Sequence, residues 1–289
     1  LLEGYEQAAH IKRLSPNTQI IMRYVDNDPF GYIYSDNLDD AVERFGNKFR
    51  DALERNADDI DYVVGLNEYI ATDDYKALRA SSDWVEAFCA WCERIGYPAR
   101  PIGFNAGVGN PQHNEICDAQ GKERQIPLMV PGARALMYAD GAFGHHAYHG
   151  VRWSDDFCTL TAVDGNGVPL TYNYLMRSLL SIDPVFVEHG VKVKHILTEM
   201  GAIYFDPIHG MCNAGAGWKY KDALNGNVDL YVRQLVRVNE MLHHWNTEHE
   251  NRLVAAILFL YAGYSDWVEF ELEGEMAQAL SNALSTLQQ

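Results

Sequence analysis

The sequence predicts an α/β protein built on a parallel sheet, of the kind that closes into a (β/α)8 barrel. Short apolar runs rich in β-branched residues recur along the chain, and such runs are typical of strands buried on both faces. Each run is followed by a polar loop and then by apolar residues at helical spacing, and this order repeats six times. Alternating strands and helices specify parallel βαβ units. Because the chain has no internal repeat and no low-complexity linker, residues 1–289 are predicted to form one domain.

Periodicity and turn signals place the elements of the first half of the chain. The predicted strands are 18–25, 62–66 and 100–105, and the predicted helices are 5–14, 38–56 and a third helix that ends at 95. The second of these helices carries Val42, Phe45 and Phe49 at spacings of three and four. Ser82 and Asp83 are good N-cap residues, so the third helix is predicted to begin there.

The second half of the chain continues the same alternation. The predicted strands are 142–149, 194–201 and 253–260, and the predicted helices are 131–139, 172–188, 228–248 and 275–287. Three long loops, 108–128, 150–169 and 205–227, separate these elements. Loops of this length inside a compact domain are usually functional or mobile, so a ligand site on their side of the sheet is expected.

Two carboxylates stand where predicted strands end. The apolar run 62–66 leads directly into Asn67 and Glu68, and Glu199 follows the apolar pair Ile196-Leu197, about 130 residues later. Side chains at the carboxyl ends of barrel strands carry the chemistry of such folds. Two carboxylates that flank one sugar carbon are the requirement for hydrolysis of a glycosidic bond. The pair therefore indicates a glycoside hydrolase, and the alternative at either position is a solvated loop glutamate.

With Asn67 before the first glutamate and Thr198 before the second, the chain resembles the retaining glycoside hydrolases of clan A. Barrels of this clan carry Asn-Glu on the fourth strand and the nucleophilic glutamate on the seventh. The resemblance spans roughly residues 18–270 and identifies no specific family. It implies a (β/α)8 TIM barrel in which the strand over 18–25 is the third. One or two strands are then expected to be missing before it, unless the barrel is incomplete or the register differs.

The resemblance also implies roles for the residues at the strand ends. Glu199 is expected to be the nucleophile and Glu68 the general acid/base. Nothing in the two residues themselves distinguishes these roles. The acid must hold a proton near neutral pH, which burial and a neighbouring negative charge favour. Asn67 is expected to bind the sugar 2-hydroxyl. Tyr148 and His146 are expected to donate hydrogen bonds to the nucleophile.

Further candidate substrate contacts come from other strand ends and from the loops. Trp267 matches the tryptophan that forms the floor of the sugar site in the clan, and Tyr261 is the alternative platform. Arg23 and Asn105 end two other predicted strands and can reach a sugar hydroxyl or a carboxylate. Three aromatic residues on the long loops can stack on sugar rings or simply pack the loops down: Trp153, Trp218 and Tyr220.

Two other functions compete with this reading. His145, His146 and His149 lie within five residues, so with Glu199 they can form the metal site of a barrel hydrolase or isomerase. A barrel that binds carbohydrate or a protein without turnover is the third possibility, although both carboxylates are present. The glycosidase mechanism needs no cofactor, and none is predicted.

The net charge and the composition limit the classes of binding partner that are expected. A net charge of −17 argues against binding to nucleic acid phosphates, and 17 tyrosines, 6 tryptophans and 11 phenylalanines supply stacking faces for a neutral sugar. No apolar run approaches the ~18 residues of a membrane span, so a soluble protein, secreted or cytoplasmic, is expected. The pattern leaves the oligomeric state open. Cys89 and Cys92 have CxxC spacing within a helical pattern, so both are predicted to be buried in a helix rather than to bind metal.

Overall fold

The computed structural model describes residues 7–24, 26, 29–68, 75–107, 126–150, 162–163, 169–170, 176, 178–203, 217–219, 224–258 and 272–287. The chain divides into two compact units. The first unit comprises Leu1–His145 and Ser181–Ile196, and the second comprises His146–Leu180 and Leu197–Gln289. The prediction of a single domain over residues 1–289 stays a prediction.

The described residues contain eight strands. Six of them follow one another in chain order in one sheet, and the other two form a separate antiparallel ribbon. The strands are β1 (Ile21–Arg23), β2 (Tyr62–Val64), β3 (Arg100–Ala106), β4 (Ala142–Gly150), β5 (Ala162–Val163), β6 (Pro169–Leu170), β7 (Lys194–Ile203) and β8 (Leu253–Leu258). Strands β1 to β4 pair in parallel, β7 comes next to β4, and β8 comes next to β7. The ribbon of β5 and β6 begins within the predicted loop 150–169 and ends at Leu170.

Each strand predicted for the sheet is present, although β1 and β2 are shorter than expected. Every residue of β2 is buried, as the continuous apolar run predicts for a strand covered on both faces. The α/β class is therefore confirmed, and the six strands with their helices are consistent with part of a (β/α)8 barrel. Further strands before β1 stay a prediction.

Nine α-helices lie in the described part of the chain. They are α1 (Ala8–Leu14), α2 (Pro29–Ile33), α3 (Leu38–Gly46), α4 (Arg50–Arg55), α5 (Tyr75–Ile95), α6 (Val130–Tyr138), α7 (Asp183–Glu188), α8 (Val228–Glu248) and α9 (Glu275–Leu287). A π-helical turn, Ser178–Ile182, leads into α7 within the predicted helix 172–188. Helices α8 and α9 have the predicted bounds. Among these described helices, none combines the length and the apolar character needed to cross a bilayer.

The predicted helix over 38–56 is wrong, because the structure breaks it into α3 and α4. The side chain of Asn37 accepts from the backbone N–H of Asp40 at 3.2 Å and begins α3. The helix ends at Gly46, where an added Cβ would come 2.1 Å from Cζ2 of Trp91. The turn after Gly46 then brings Phe49, which is 1% exposed, back into the core. Packing against Trp91 thus decides where α3 ends.

The predicted start of the third helix is also wrong. Helix α5 begins at Tyr75, so Ser82 lies inside it rather than at its N-terminus. The hydroxyl of Ser82 accepts from the backbone N–H of Gly132 on α6 at 2.8 Å. A serine that looks like a helix cap in the sequence therefore joins two helices in the fold.

An aromatic cluster forms the centre of the first unit. The rings of Trp84 and Phe88 stack at 5.0 Å, and Phe45 meets Trp84 edge-on at 5.5 Å. Val63 of β2 and Phe104 of β3 belong to the same buried cluster. The strand ends that carry Glu68 and Asn105 therefore rest on a rigid, well-packed core.

The second unit has its own core beneath β4 and β7. Leu235, Val238 and Leu242 of α8 lie in one buried cluster with Ala147 of β4 and Leu197 of β7. The side chain of Asn227 begins α8 by accepting from the backbone N–H of Leu230 at 3.0 Å. Residues 147 and 197 flank the positions of Tyr148 and Glu199, so this core supports that part of the site.

The CxxC pair lies in α5, as predicted. Cys89 and Cys92 are both buried, and neither forms a disulfide. Burial raises the pKa of the Cys89 thiol to about 12 and places that of Cys92 well above its usual value. Because the thiolate is the reactive and metal-binding form, both cysteines act as small apolar side chains. The other three cysteines, Cys117, Cys158 and Cys212, lie outside the described residues.

Candidate active site

In the second unit, Glu199 is held by two residues of β4. Glu199 lies within β7 and is 9% exposed. The hydroxyl of Tyr148 donates to Oε2 of Glu199 at 2.9 Å. Nδ1 of His146 lies 3.4 Å from the same oxygen. Because alternate residues of a strand face the same side, His146 and Tyr148 reach one carboxylate from one strand.

These contacts orient the carboxylate of Glu199. A buried carboxylate without donors is costly, whereas a hydroxyl donor stabilises its ionised form. The two contacts converge on Oε2 of Glu199. An oriented, ionised carboxylate is the form in which a glutamate attacks carbon. The sequence pattern placed Glu199 at the end of a strand. Because β7 continues to Ile203, Glu199 lies inside β7 instead.

In the first unit, three strand-end side chains form a hydrogen-bonded cluster. The side-chain amide of Asn105 donates to Oδ1 of Asn67. Nη1 of Arg23, the last residue of β1, donates to the same oxygen at 3.4 Å. Asn105 is fully buried, whereas Arg23 and Asn67 are partly buried. The structure thus brings together three of the residues that the sequence marks as candidate contacts.

Glu68 lies beside this cluster and is exposed. Its backbone N–H donates to the carbonyl oxygen of Asn105 at 3.2 Å. A Cβ added at Gly107 would come 3.2 Å from Oε1 of Glu68, so the glycine leaves room for this carboxylate. The Glu68 carboxylate is therefore accessible from solvent.

The backbone at these two strand ends is strained. Phe104, Asn105 and Glu68 have φ values of 65°, 40° and 51°, in the left-handed region. Asparagine tolerates this region, but for a bulky phenylalanine it is an outlier. Such residues each cost about 1–3 kcal/mol and cluster at ligand and active sites. The strained residues thus lie at the two strand ends that carry the candidate residues Asn105 and Glu68.

A β-bulge explains the strain at residues 104 and 105. Gly103 pairs with Phe143 of β4, and Ala106 pairs with His145, so two residues of β3 face one residue of β4. Bulges of this kind re-aim side chains next to active sites. The facing residue is Gly144, where an added Cβ would come 3.1 Å from Oδ1 of Asn105. The sequence analysis gave no role to Gly144 or Gly107, although a glycine inside a strand signals close approach of another chain segment.

The histidine cluster is divided between the two units. His145 is fully buried in the first unit, where its ring stacks 6.4 Å from that of Phe143. His146 belongs to the second unit and contacts Glu199, and the side chain of His149 lies outside the described residues. Within the described part of the chain, no three His, Cys, Asp or Glu side chains are grouped to hold a metal ion.

A buried histidine–aspartate hydrogen bond that the sequence pattern does not predict lies in the first unit. Nε2 of His195 is 3.0 Å from Oδ1 of Asp183, and both residues are buried. The ring of His195 also meets Phe143 at 5.7 Å. Asp183 begins α7 and His195 is the second residue of β7, so the pair ties a helix to the following strand. Nothing in the spacing of the two residues signals this contact.

The aromatic candidates fall mostly outside the described residues. Trp267 and Tyr261, the two candidate sugar platforms, and Trp153 and Tyr220 lie there. Trp218 is described: it is 3% exposed, and its ring stacks 5.2 Å from that of Tyr231 on α8. Packing against the helix therefore accounts for Trp218.

The comparisons with known proteins concern the fold. No protein-family model and no curated protein matches the sequence. Among solved structures, an endo-beta-1,4-mannanase from Thermotoga petrophila matches with a TM-score of 0.52 and 11% identity, over 97% of this chain and 60% of that one. A GH5-4 broad specificity endoglucanase from Ruminococcus champanellensis with bound cellotriose matches with a TM-score of 0.52 and 12% identity, over 96% and 74% of the two chains.

A third structure, of a mutant protein in complex with xylotriose, has a TM-score of 0.50 and 13% identity, over 97% and 82% of the two chains. At such identities the similarity establishes the fold. The resemblance in fold to the TIM-barrel glycosidases of clan A is thereby confirmed, and the specific family within the clan is not determined. This chain spans 60% of the mannanase chain that it matches.

Proposed function

We propose that this chain is a glycoside hydrolase that cleaves O-glycosidic bonds of an oligo- or polysaccharide by a two-glutamate retaining mechanism. The observation that carries the proposal is the buried carboxylate of Glu199 with the Tyr148 hydroxyl 2.9 Å from its Oε2. A strand-borne carboxylate that a neighbouring phenol orients by a hydrogen bond is suited to attack an anomeric carbon. The mechanism needs no cofactor.

The surroundings of the two glutamates support a division of roles. Glu199 is buried and accepts from Tyr148, so it is the nucleophile that forms the glycosyl-enzyme intermediate. Glu68 is exposed beside Gly107, so it can reach the leaving oxygen and later a water molecule. Glu68 first gives its proton to the leaving group, and then takes a proton from the water that releases the sugar. For this chemistry the two carboxyl groups must come within about 5–5.5 Å of one another.

Asn67 is the residue beside Glu68 that is proposed to bind the sugar 2-hydroxyl. Its Oδ1 already accepts from Asn105 and Arg23, so its NH2 group is the part left to meet a ligand. A hydrogen bond at that hydroxyl strengthens in the transition state and supplies several kcal/mol in such enzymes. Arg23 therefore acts on the substrate through Asn67 at this contact.

The substrate is proposed to be a chain of neutral sugars. Two of the proteins with similar folds were solved with cellotriose and with xylotriose, and a third is an endo-beta-1,4-mannanase. A net charge of −17 suits a neutral ligand better than a polyanionic one. A β-1,4-linked glucan, xylan or mannan is thus the first choice of substrate to test.

Release of reducing sugar from these three polysaccharides tests the proposal. Wild-type protein should act on at least one of them, and Glu199→Ala and Glu68→Ala should each lower turnover by orders of magnitude while the protein stays folded. Glu93→Ala, which removes an exposed carboxylate on α5, is the matched control and should keep full activity. Wild-type protein that binds the polysaccharide but releases no sugar would favour a non-catalytic barrel. Activity that requires stoichiometric zinc, manganese or cobalt would favour the metal-dependent hydrolase or isomerase.

A further inference from the structure

Asn105 contacts both members of the Asn67-Glu68 pair with different groups. Its side-chain amide donates to Oδ1 of Asn67, and its carbonyl oxygen accepts from the backbone N–H of Glu68 at 3.2 Å. Asn105 is 0% exposed, whereas Asn67 is partly buried and Glu68 is exposed. Asn105 therefore lies beneath the pair and holds it from the protein side.

The backbone of β3 is shaped to aim Asn105 at this pair. The bulge places residues 104 and 105 opposite one residue of β4, and both residues have positive φ. Without the extra residue, the alternation of the strand would turn the following side chains to the opposite face. Asparagine is among the few residues that adopt the left-handed region readily, which accounts for the residue type at this bend.

Strand β4 packs closely against the side chain of Asn105. A Cβ at Gly144 would come 3.1 Å from both Cα and Oδ1 of Asn105, so the asparagine fills the space that the glycine leaves. The Asn105 side chain thus lies close against Gly144 of β4, with its NH2 group directed at Asn67. With Arg23 as the second donor, both lone pairs of the Asn67 carbonyl are occupied. Turning the Asn67 amide over would break both hydrogen bonds.

We propose that Asn105 is a positioning residue for the Asn67-Glu68 pair, and that it fixes the side chain of Asn67 and the main chain of Glu68 from one bulged strand. The proposal rests on the proposed glycosidase function. It differs from the expectation that Asn105 contacts the sugar directly, because the residue acts through Asn67. A displacement of about 1 Å at a reacting group can cost on the order of 100-fold in rate. Loss of the donor at Asn105 leaves the Asn67 amide with one hydrogen bond fewer to hold its orientation.

The main test is the substitution Asn105→Asp. The variant keeps the shape and the tolerance of positive φ, but at neutral pH it replaces the donor NH2 by an oxygen that repels Oδ1 of Asn67. We expect kcat/KM to fall roughly 10- to 100-fold at pH 7. Protonation of the introduced carboxyl restores a donor, so the ratio of variant to wild-type kcat/KM should rise as the pH is lowered to 5. A purely structural role would not give this pH profile.

A double-mutant cycle with Asn67→Ala shows whether Asn105 affects kcat/KM through Asn67. If Asn105 acts through Asn67, adding Asn105→Asp to Asn67→Ala should lower kcat/KM by less than about threefold further, since residues in one hydrogen-bond network are not additive. Equal losses in both backgrounds would overturn the proposal, and so would wild-type kcat/KM in Asn105→Asp. The matched control is Asn56→Asp, which removes the hydrogen bond from another buried asparagine to the carbonyl of Ala52 at 2.9 Å. It should lower Tm and leave kcat/KM within twofold of wild type.

A second readout does not depend on turnover. The side-chain NH2 resonances of Asn67 can be assigned by their loss in Asn67→Ala, and they should shift in Asn105→Asp but not in Asn56→Asp. Gly144→Ala, which presses on Asn105 without changing it, should shift them in a folded protein as well. Unchanged resonances in both variants would overturn the positioning role. If wild-type protein hydrolyses no glycoside, the proposed function fails, and these spectra still decide whether Asn105 holds Asn67.

Discussion

Replacement of Tyr148 with phenylalanine removes the hydroxyl that donates to Oε2 of Glu199 at 2.9 Å. The ring of Tyr148 is buried, so Tyr148→Phe preserves the packing of β4 and changes the site by one oxygen atom. The variant therefore separates the hydrogen bond from the fold. Of the two contacts on Oε2 of Glu199, Tyr148→Phe leaves the one from Nδ1 of His146 at 3.4 Å.

The size of the effect follows from the charge of the acceptor. A hydrogen bond to a charged group contributes about 1.5–3 kcal/mol, which corresponds to a factor of roughly 10 to 150 in rate. In the proposed mechanism, the Glu199 carboxylate loses its charge when it forms the bond to the sugar and regains it as the intermediate is hydrolysed. A hydrogen bond from the Tyr148 hydroxyl would then stabilise the transition state of that second step. Loss of the hydroxyl should therefore slow release of the sugar more than its attachment.

Steady-state kinetics on dinitrophenyl glycosides measures this step, because an activated leaving group makes release of the sugar rate-limiting. For Tyr148→Phe we expect kcat to fall roughly 10- to 150-fold, with a lower KM as the intermediate accumulates. The control is Tyr231→Phe, which removes a hydroxyl from a buried tyrosine that stacks on Trp218, and its kcat should stay within twofold. A kcat for Tyr148→Phe equal to that of wild type would refute the assignment of Glu199 as nucleophile.

Three further predictions concern the fold. Burial acts to raise the pKa of Glu43, but hydrogen bonds from Arg50 and its neighbours outweigh it and hold the pKa below the usual 4.5. The carboxylate therefore adds stability above pH 4.5 that is lost as the pH falls through its lowered pKa. Urea unfolding should find Glu43→Gln less stable by about 1 kcal/mol at pH 7, after allowance for solvent screening, and by less in acid; a constant difference would contradict this. Cys89, with a thiol pKa of about 12, should resist iodoacetamide at pH 8 in folded protein and react in urea, and rapid labelling of folded protein would show the thiol to be accessible. Gly46→Ala should lower the free energy of unfolding by about 1–3 kcal/mol, since its Cβ would meet Trp91 at 2.1 Å, and an unchanged Tm would contradict this packing.

The sequence was informative where local periodicity controls the structure. Asn227 caps α8, and the helix keeps its predicted bounds because apolar residues at helical spacing meet one core. His146 and Tyr148 reach the same carboxylate because strand geometry places residues two apart on one face. These relations need no knowledge of the rest of the chain.

Tertiary contacts decided the features that the sequence did not reveal. The break after Gly46 depends on a tryptophan 45 residues away, and the early start of α5 leaves Ser82 free to bond Gly132. The bulge at Phe104 depends on the register between β3 and β4. The position of Asn105 beneath the Asn67-Glu68 pair follows from that register, and a strand-end asparagine in a sequence carries no sign of it.

We propose that Glu68 and Glu199 act on opposite faces of one sugar carbon. Azide rescue of Glu199→Ala and Glu68→Ala, with an activated β-glycoside that the wild-type protein hydrolyses, tests this claim most directly. Nuclear magnetic resonance then assigns the anomeric configuration of each glycosyl azide. We expect an α-glycosyl azide from Glu199→Ala, because azide enters on the face that the nucleophile leaves open, and a β-glycosyl azide from Glu68→Ala. The same anomer from both variants, or rescue of neither, would contradict the two-glutamate mechanism.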